Sequence, residues 1–326
     1  MKYQVLLCTI VCTIFSCGND SGKTGSIKPL SSGKLNNITI VAEIDLWEGE
    51  SGAIVRNTLG ETLYGLPQDE PMFDLYYMPV DVFSGFARKN RTVLQLKRSE
   101  NSEVNILTNI FAQPQTLIEV KGPDDEAIAR QLSLNSAAIM TALQDTEVAE
   151  KQRRIGKSLN KDKSINKLFG LTLNFPSAYR MAKAEEGFLW ARRDIESGSV
   201  NFMIYELNEN QLDTETSLLE QILSVRDSVG ERHIPGPVEG SFMITEKSYQ
   251  PRMTRTEIKG LQTYETRSTW ELANAFMAGP FVNYTIHDPE NSRWIIAEGF
   301  VLAPSKDKRD YMLELEAILK SLEIQN

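Results

Sequence analysis

Apolar and polar positions follow two rhythms along this chain, and the changes between them mark out its elements. Ile38 to Ile44 is dense in β-branched residues and predicts a strand; further strands are predicted over Met72–Tyr77, Thr92–Leu96, Val104–Phe111 and Gln115–Val120. Between the first two, Ile54, Val55, Thr58 and Leu59 recur at helical spacing, predicting a short helix over Ser51–Leu63. Gly122-Pro123-Asp124-Asp125-Glu126 places a proline and three acids at a helix start, with Ile128, Leu132, Ile139 and Leu143 as the buried face behind it. Charge dominates from Glu147 to Lys167, which reads either as a second, exposed helix or as a hinge.

Downstream, short strands are predicted over Leu171–Phe175, Tyr179–Ala184 and Phe188–Arg193, then a longer one over Val200–Leu207. Thr214–Val229 predicts a helix with Leu218, Leu219, Ile222, Val225 and Val229 on its apolar face. Pro235-Gly236-Pro237 breaks the chain before strands at Ser241–Ser248, Arg252–Ile258, Thr263–Glu271, Phe281–His287 and Arg293–Leu302. Pro304-Ser305 is read as the cap of a closing helix striped by Tyr311, Leu315, Ile318 and Leu322. Strands in consecutive runs with helices set apart argue for an α+β fold: two layered domains of mostly antiparallel sheet with packed helices. The expected division is a leader over residues 1–16, a flexible tether over 17–34, an N-terminal domain over 35–165 and a C-terminal domain over 166–326.

The leader carries the strongest single signal. Lys2 precedes the apolar run Val5–Phe15, which is too short to span a bilayer and suits the core of a signal peptide. Ile14-Phe15-Ser16-Cys17 resembles a lipobox, the signal in which the cysteine thiol takes diacylglycerol and the chain is cut before it. Residues 18–34, rich in Gly, Ser, Asn and Lys, suit a tether. The expectation is a membrane partner through acyl chains on Cys17, with Gly18 after the cysteine and a lone nearby acid, Asp20, pointing to the outer membrane's periplasmic face.

Composition then removes whole chemistries. The cysteines are Cys8, Cys12 and Cys17, so a body beginning at Cys17 has no disulfide, thiolate metal site or cysteine nucleophile to offer. His233 and His287 are too few for a histidine-rich metal site, and neither a metal nor a cofactor is expected. Without Lys2, 34 basic residues face 44 acidic ones, a net charge of −10, which opposes nucleic acid and anionic surfaces as partners of the whole field. Gly22-Lys23-Thr24 lacks the spacing and the preceding strand of a phosphate loop, no G-x-S-x-G elbow occurs, and each S-x-x-K match lies in a polar segment. No catalytic residue is therefore assigned. Paired carboxylates remain as raw material for acid–base work on a glycan: Glu48 with Glu50, or Asp69 with Glu70. Gly65-Leu66-Pro67, Pro235-Gly236-Pro237 and Ala278-Gly279-Pro280 predict rigid turns, and Trp47, Glu48, Tyr64, His233 and Trp270 form the candidate binding surface beside them.

Several long stretches are similar to one family. Asp45-Leu46-Trp47-Glu48-Gly49-Glu50, Tyr64 through Asp74, His233 through Ser241, Met277 through Val282 and Glu298 through Arg309 resemble Bacteroidota lipoproteins grouped as domain of unknown function 4837. The resemblance implies an envelope lipoprotein and no reaction. Phe169-Gly170-Leu171, Tyr179 and Trp190 also resemble PsbP/Mog1-type α+β domains, in fold alone. The expected function is a non-enzymatic binding or assembly module taking an envelope protein or glycan, with a carboxylate-dependent glycan hydrolase as the alternative.

Overall fold

The computed structural model describes residues 28–325; the leader, Cys17 and the first part of the expected tether lie outside the described residues. The described end of that tether is docked. Gln113 N–H donates to Pro29 O at 2.9 Å, and Ser32 N–H to Lys89 O at 2.8 Å.

In the N-terminal half, β1 (Asn37–Ala42) points Ile38, Ile40 and Ala42 to one buried face and Val41 to the other. α1 (Ile44–Glu48), α2 (Glu50–Leu59), β2 (Asp74–Pro79), β3 (Thr92–Arg98), β4 (Glu103–Thr108) and β5 (Thr116–Gly122) follow. The sheet order is β2-β1-β3-β5-β4. The α+β class holds, with packed helices and antiparallel pairing dominating the chain. Within it, this sheet departs from expectation: β2, β1, β3 and β5 are parallel neighbours, and β4 runs antiparallel at the edge. Parallel neighbours need crossovers of a dozen or more residues. Residues 43–73 supply one between β1 and β2, read from sequence as one short helix, and residues 80–91, given no element there, carry the chain from β2 past β1 to β3.

α3 (Asp125–Leu134) starts on Asp124, whose Oδ1 accepts the Ala127 N–H at 2.8 Å. A break at Asn135 separates it from α4 (Ser136–Ile155), where the pattern suggested one helix. The charged end of α4 is not simply exposed. Glu147 and Glu150 are 1% and 4% exposed. Glu147 holds Arg91 at 3.0 Å and Glu150 holds Arg153 and Arg154, each at 2.7 Å. Burial alone would raise the Glu150 carboxyl, but hydrogen bonds from the two arginines outweigh it and hold the pKa down at about 2.

The C-terminal half runs α5 (Ser164–Phe169), β6 (Leu171–Thr172), β7 (Arg180–Glu185), β8 (Phe188–Ile195), β9 (Gly198–Asn208), α6 (Leu218–His233) and β10 (Phe242–Thr245). β11 (Arg252–Ile258), β12 (Leu261–Ala273), β13 (Ala275–Asp288), β14 (Arg293–Leu302), α7 (Arg309–Leu319) and β15 (Glu323–Ile324) complete it. The antiparallel sheet order is β10-β12-β13-β14-β9-β8-β7, with β11 paired to β12. Both faces are covered. Phe202 and Ile204 of β9 face the α7 side, while Met203 and Tyr205 face the α6 side. Alternation is expected over Val200–Leu207; because both faces are buried, β9 instead carries apolar residues without a break from Phe202 to Tyr205.

The apolar stripe expected on α6 contains an intruder. Arg226 is fully buried, with Nε 3.0 Å from both Glu298 oxygens and its guanidinium 3.9 Å over the Phe281 ring. Thr245 Oγ1 accepts from its Nη1 at 3.0 Å, and Asn283 Nδ2 donates to Glu298 at 2.9 Å. A buried ion pair needs such extra bonds, and here they serve every group but Arg226 Nη2, which has only its 3.0 Å ion-pair contact with Glu298.

Candidate functional site

An arm from the N-terminal half builds the main cleft. After α2, residues 62–71 double back: Leu63 N–H donates to Glu70 O at 2.9 Å. The turn needs Gly65, which sits at φ +93° and where a Cβ would meet Arg267 Cβ at 3.3 Å. Leu66 then plugs into the core between the C-terminal sheet and α7. Glu70 closes the arm. Its carboxylate is buried and accepts the Lys308 N–H at 2.8 and 2.9 Å and the Arg309 N–H at 2.8 Å. Those are the free amides at the start of α7, whose N-cap residue Lys308 supplies no side-chain cap. The Pro304-Ser305 cap expected from sequence is replaced by a carboxylate reaching in from the other half. Arg309 returns the contact, bridging to Asp74 at 2.9 Å, and α4 adds Lys151 to Glu314 at 2.7 Å.

The cleft so formed has a volume of about 230 Å³. Its walls are Tyr64, Met72 and Phe73 from the arm, Gln144, Glu147 and Val148 from α4, and Arg252, Glu265, Arg267, Glu316 and Lys320 from the C-terminal half. Period-two spacing on β12 puts Glu265 and Arg267 on one face. Arg267 then grips two carboxylates, Glu265 at 2.6 Å and Glu316 at 2.8 Å. Burial pushes the Glu265 carboxyl up, yet Arg267 and Lys320 pull it below its usual value. Glu147 is likewise spent on Arg91, Thr92 Oγ1 at 2.8 Å and the Asn36 N–H at 2.8 Å.

Arg252 differs from the other cations here. It is exposed, its guanidinium lies 3.8 Å over the Tyr64 ring, and among the described residues no carboxylate stands within ion-pair distance of it. Tyr64 is itself fixed: its hydroxyl donates to Gln250 O, and its ring tilts against Tyr249 at 5.4 Å. The cleft therefore presents a rigid aromatic plane carrying an unneutralised guanidinium, above a floor of already paired carboxylates.

The sequence candidates scatter over the molecule. Tyr64 lines the cleft; Trp47, Glu48, His233 and Trp270 do not. Trp47 stacks on Tyr77 at 5.5 Å with Arg56 over its ring, and Glu48 is exposed at the end of α1. Glu50 begins α2, where Asp125 accepts its N–H at 2.8 Å, so the helix end explains it. His233 stacks on Phe188 at 4.0 Å, and burial followed by Lys183 lowers its pKa. Trp270 is 3% exposed and donates to Val301 O at 3.2 Å, so as a core side chain it cannot meet a partner. Asp69 is exposed and Glu70 is consumed by backbone amides, so that carboxylate pair is not a catalytic couple. His287 stacks on Trp294 at 4.4 Å and meets Glu209 at 3.0 Å. Sequence reasoning missed Arg252, Glu265, Arg267 and Glu316; the alternation Glu265-x-Arg267 within a predicted strand was the available signal. Among the described residues no group of three or more His, Cys, Asp or Glu is placed to hold a metal, and no helix is long and apolar enough to cross a membrane.

Comparison with known proteins adds family membership. No curated protein matches. Among solved structures, a Bacteroides thetaiotaomicron VPI-5482 protein is similar at 12% identity and TM-score 0.28, covering 48% of this chain and 46% of that one. LpqN, described as involved in cell envelope biogenesis of Mycobacterium tuberculosis, is similar at 10% identity and TM-score 0.30, covering 48% of this chain and 83% of that one. At those scores neither likeness carries an inference. A family model described as domain of unknown function 8532 matches residues 31–156. The model described as domain of unknown function 4837 matches residues 158–321, half of the chain, and the chain belongs to that family.

Proposed function

We propose that this chain is a binding module of the cell envelope, held to the outer membrane's periplasmic face by acyl chains on Cys17, and that it takes an anionic ligand in the cleft at Tyr64 and Arg252. The observation that carries the ligand assignment is the exposed, unneutralised Arg252 guanidinium stacked on a fixed aromatic ring. Such a group recognises a carboxylate or phosphate by paired hydrogen bonds, while the ring offers a flat apolar surface beside it. The anchor rests on the lipobox-like Ile14-Phe15-Ser16-Cys17 and the apolar run before it.

The hydrolase reading draws on three carboxylates lining the same cleft. Glycan hydrolysis by a carboxylate pair needs one protonated acid, kept so by a raised pKa. Here Glu265 is pulled the other way, and Glu316 shares its arginine. Binding is the better account.

Calorimetric titration of muropeptides, acidic tripeptides and inorganic phosphate into the wild-type chain and Arg252→Ala tests the proposal. Saturable heat for at least one probe that disappears in Arg252→Ala supports it. Cleavage of envelope glycan by the wild type that is lost in folded Glu265→Gln or Glu316→Gln overturns it in favour of the hydrolase.

A further inference from the structure

The N-terminal sheet's unhelical face has an uneven rim. At the end where β1, β3 and β5 begin, Leu30, Phe86 and Ile110 are 77%, 72% and 40% exposed. They belong to one connected patch. Leu30 bridges Gln113, the Gln115 side chain bonds Arg88 O at 2.7 Å and accepts from the Phe111 N–H at 2.8 Å, and Ser32 N–H reaches Lys89 O. Its charges are basic: Lys28 donates to Asn109 O, Arg88 lies 5.0 Å over Phe111, and Lys89 lies 5.6 Å over Phe86. This patch of positive charge and protruding apolar tips interrupts a body of net negative charge.

Covalent reach says what covers it. Ten residues separate Cys17 from Lys28, so the eleven steps between them span at most about 40 Å fully extended. A compact body of roughly 300 residues is about 50 Å across. A chain held at Cys17 therefore enters the body at this patch and cannot turn its far side to the bilayer. Exposed aromatic and aliphatic tips among Lys and Arg are the chemistry that settles at a phospholipid interface, about 5–10 Å into the headgroup boundary. We infer that Leu30, Phe86 and Ile110, ringed by Lys28, Arg88 and Lys89, form a second, non-covalent contact with the phospholipid surface, fixing the orientation of the body and holding the Tyr64–Arg252 cleft at a set height. The inference rests on the Cys17 anchor.

The test uses the full chain purified from membranes and reconstituted into vesicles of phosphatidylethanolamine with phosphatidylglycerol. An acylated Cys17 leaves the mature chain without a free thiol, so Leu30→Cys, Phe86→Cys and Ile44→Cys can each carry one fluorescent label. Ile44 is the control: it is 54% exposed, but it follows the opposite end of β1, about 20 Å along the strand. Nitroxide headgroup lipids are expected to quench positions 30 and 86 several-fold more than position 44. Arg88→Glu with Lys89→Glu shifts the docked-to-undocked ratio about tenfold or more towards undocked, and less in phosphatidylcholine alone. Equal quenching at all three positions overturns the lipid contact, as does crosslinking of position 86 to a protein instead of lipid. Intact mass reports the anchor separately. If no acyl chains are present, the anchor reading fails by itself; the labels, on a background with Cys8, Cys12 and Cys17 replaced by serine, must then still be quenched when vesicles are added, or the contact fails too.

Discussion

Glu70→Ala asks whether the two halves are joined as the geometry says. The carboxylate is 6% exposed and meets two backbone amides at the start of α7, both within 2.9 Å. Removing it deletes a helix cap, a loss of about 1 kcal/mol, and the favourable charge at the helix's positive end, about 0.3–1 kcal/mol. It also leaves the buried Lys308 amide without a partner, at a further cost of about 1–3 kcal/mol. The total is about 2–5 kcal/mol, which for a chain of this size lowers the melting temperature by roughly 3–8 °C. Glu70→Gln keeps one oxygen acceptor and loses the charge, so it falls about midway. The neighbouring Asp69→Ala removes an exposed carboxylate and stays within about 0.5 kcal/mol of wild type. Thermal and denaturant unfolding of the four proteins make the comparison. A Glu70→Ala protein as stable as Asp69→Ala would refute the cross-half cap.

Arg226→Met strands the buried Glu298 carboxyl and is expected to cost about 3–5 kcal/mol, while Arg226→Met with Glu298→Leu recovers most of it; a double variant no better than the single one contradicts the buried-pair reading. Acid should unfold the chain in a defined window. Glu150, Glu265 and Glu314 all titrate below their unfolded value when folded, so their stabilisation is complete above about pH 4.5 and drains as pH falls through the folded values, near 2 for Glu150. His233, lowered from 6.5 in its half-buried stack, adds a shallower loss of the same sign that begins as pH falls below that value; a melting temperature that rises between pH 5 and 3 contradicts the carboxylate reading. Gly279→Ala drives a methyl to 1.9 Å from Val301 O and should destabilise by more than about 2 kcal/mol, against about 1 kcal/mol for Gly187→Ala, whose Cβ meets open space. Denaturant midpoints of the two variants decide it.

Most of the C-terminal half was legible because its signals are local. β11 and β14 occupy the spans their alternation predicts, and α7 carries Tyr311, Leu315 and Ile318 of the expected stripe but ends at Leu319, before Leu322. The N-terminal topology was hidden because strand order is set by crossovers, and the 80–91 crossover carries no regular pattern. The site was hidden for a related reason. Tyr64 announced itself beside Gly65-Leu66-Pro67, but Arg252, Arg267 and Glu316 stand far from it in sequence and meet it only once Leu66 is docked and Glu70 has capped α7. Buried charge misled in the same way. Glu147 opened a segment read as an exposed helix or a hinge, and Arg226 drew no reading, because each one's partner lies more than fifty residues away.

Amide hydrogen exchange bears most directly on the cleft. The full chain and Arg252→Ala are each compared with and without the soluble anionic fraction of their own envelope. Slower exchange confined to residues 62–71 and 249–254 in the wild type, and absent in Arg252→Ala, is the outcome expected of a ligand seated on Tyr64. Protection mapping to another surface, or persisting unchanged without the guanidinium, would contradict it.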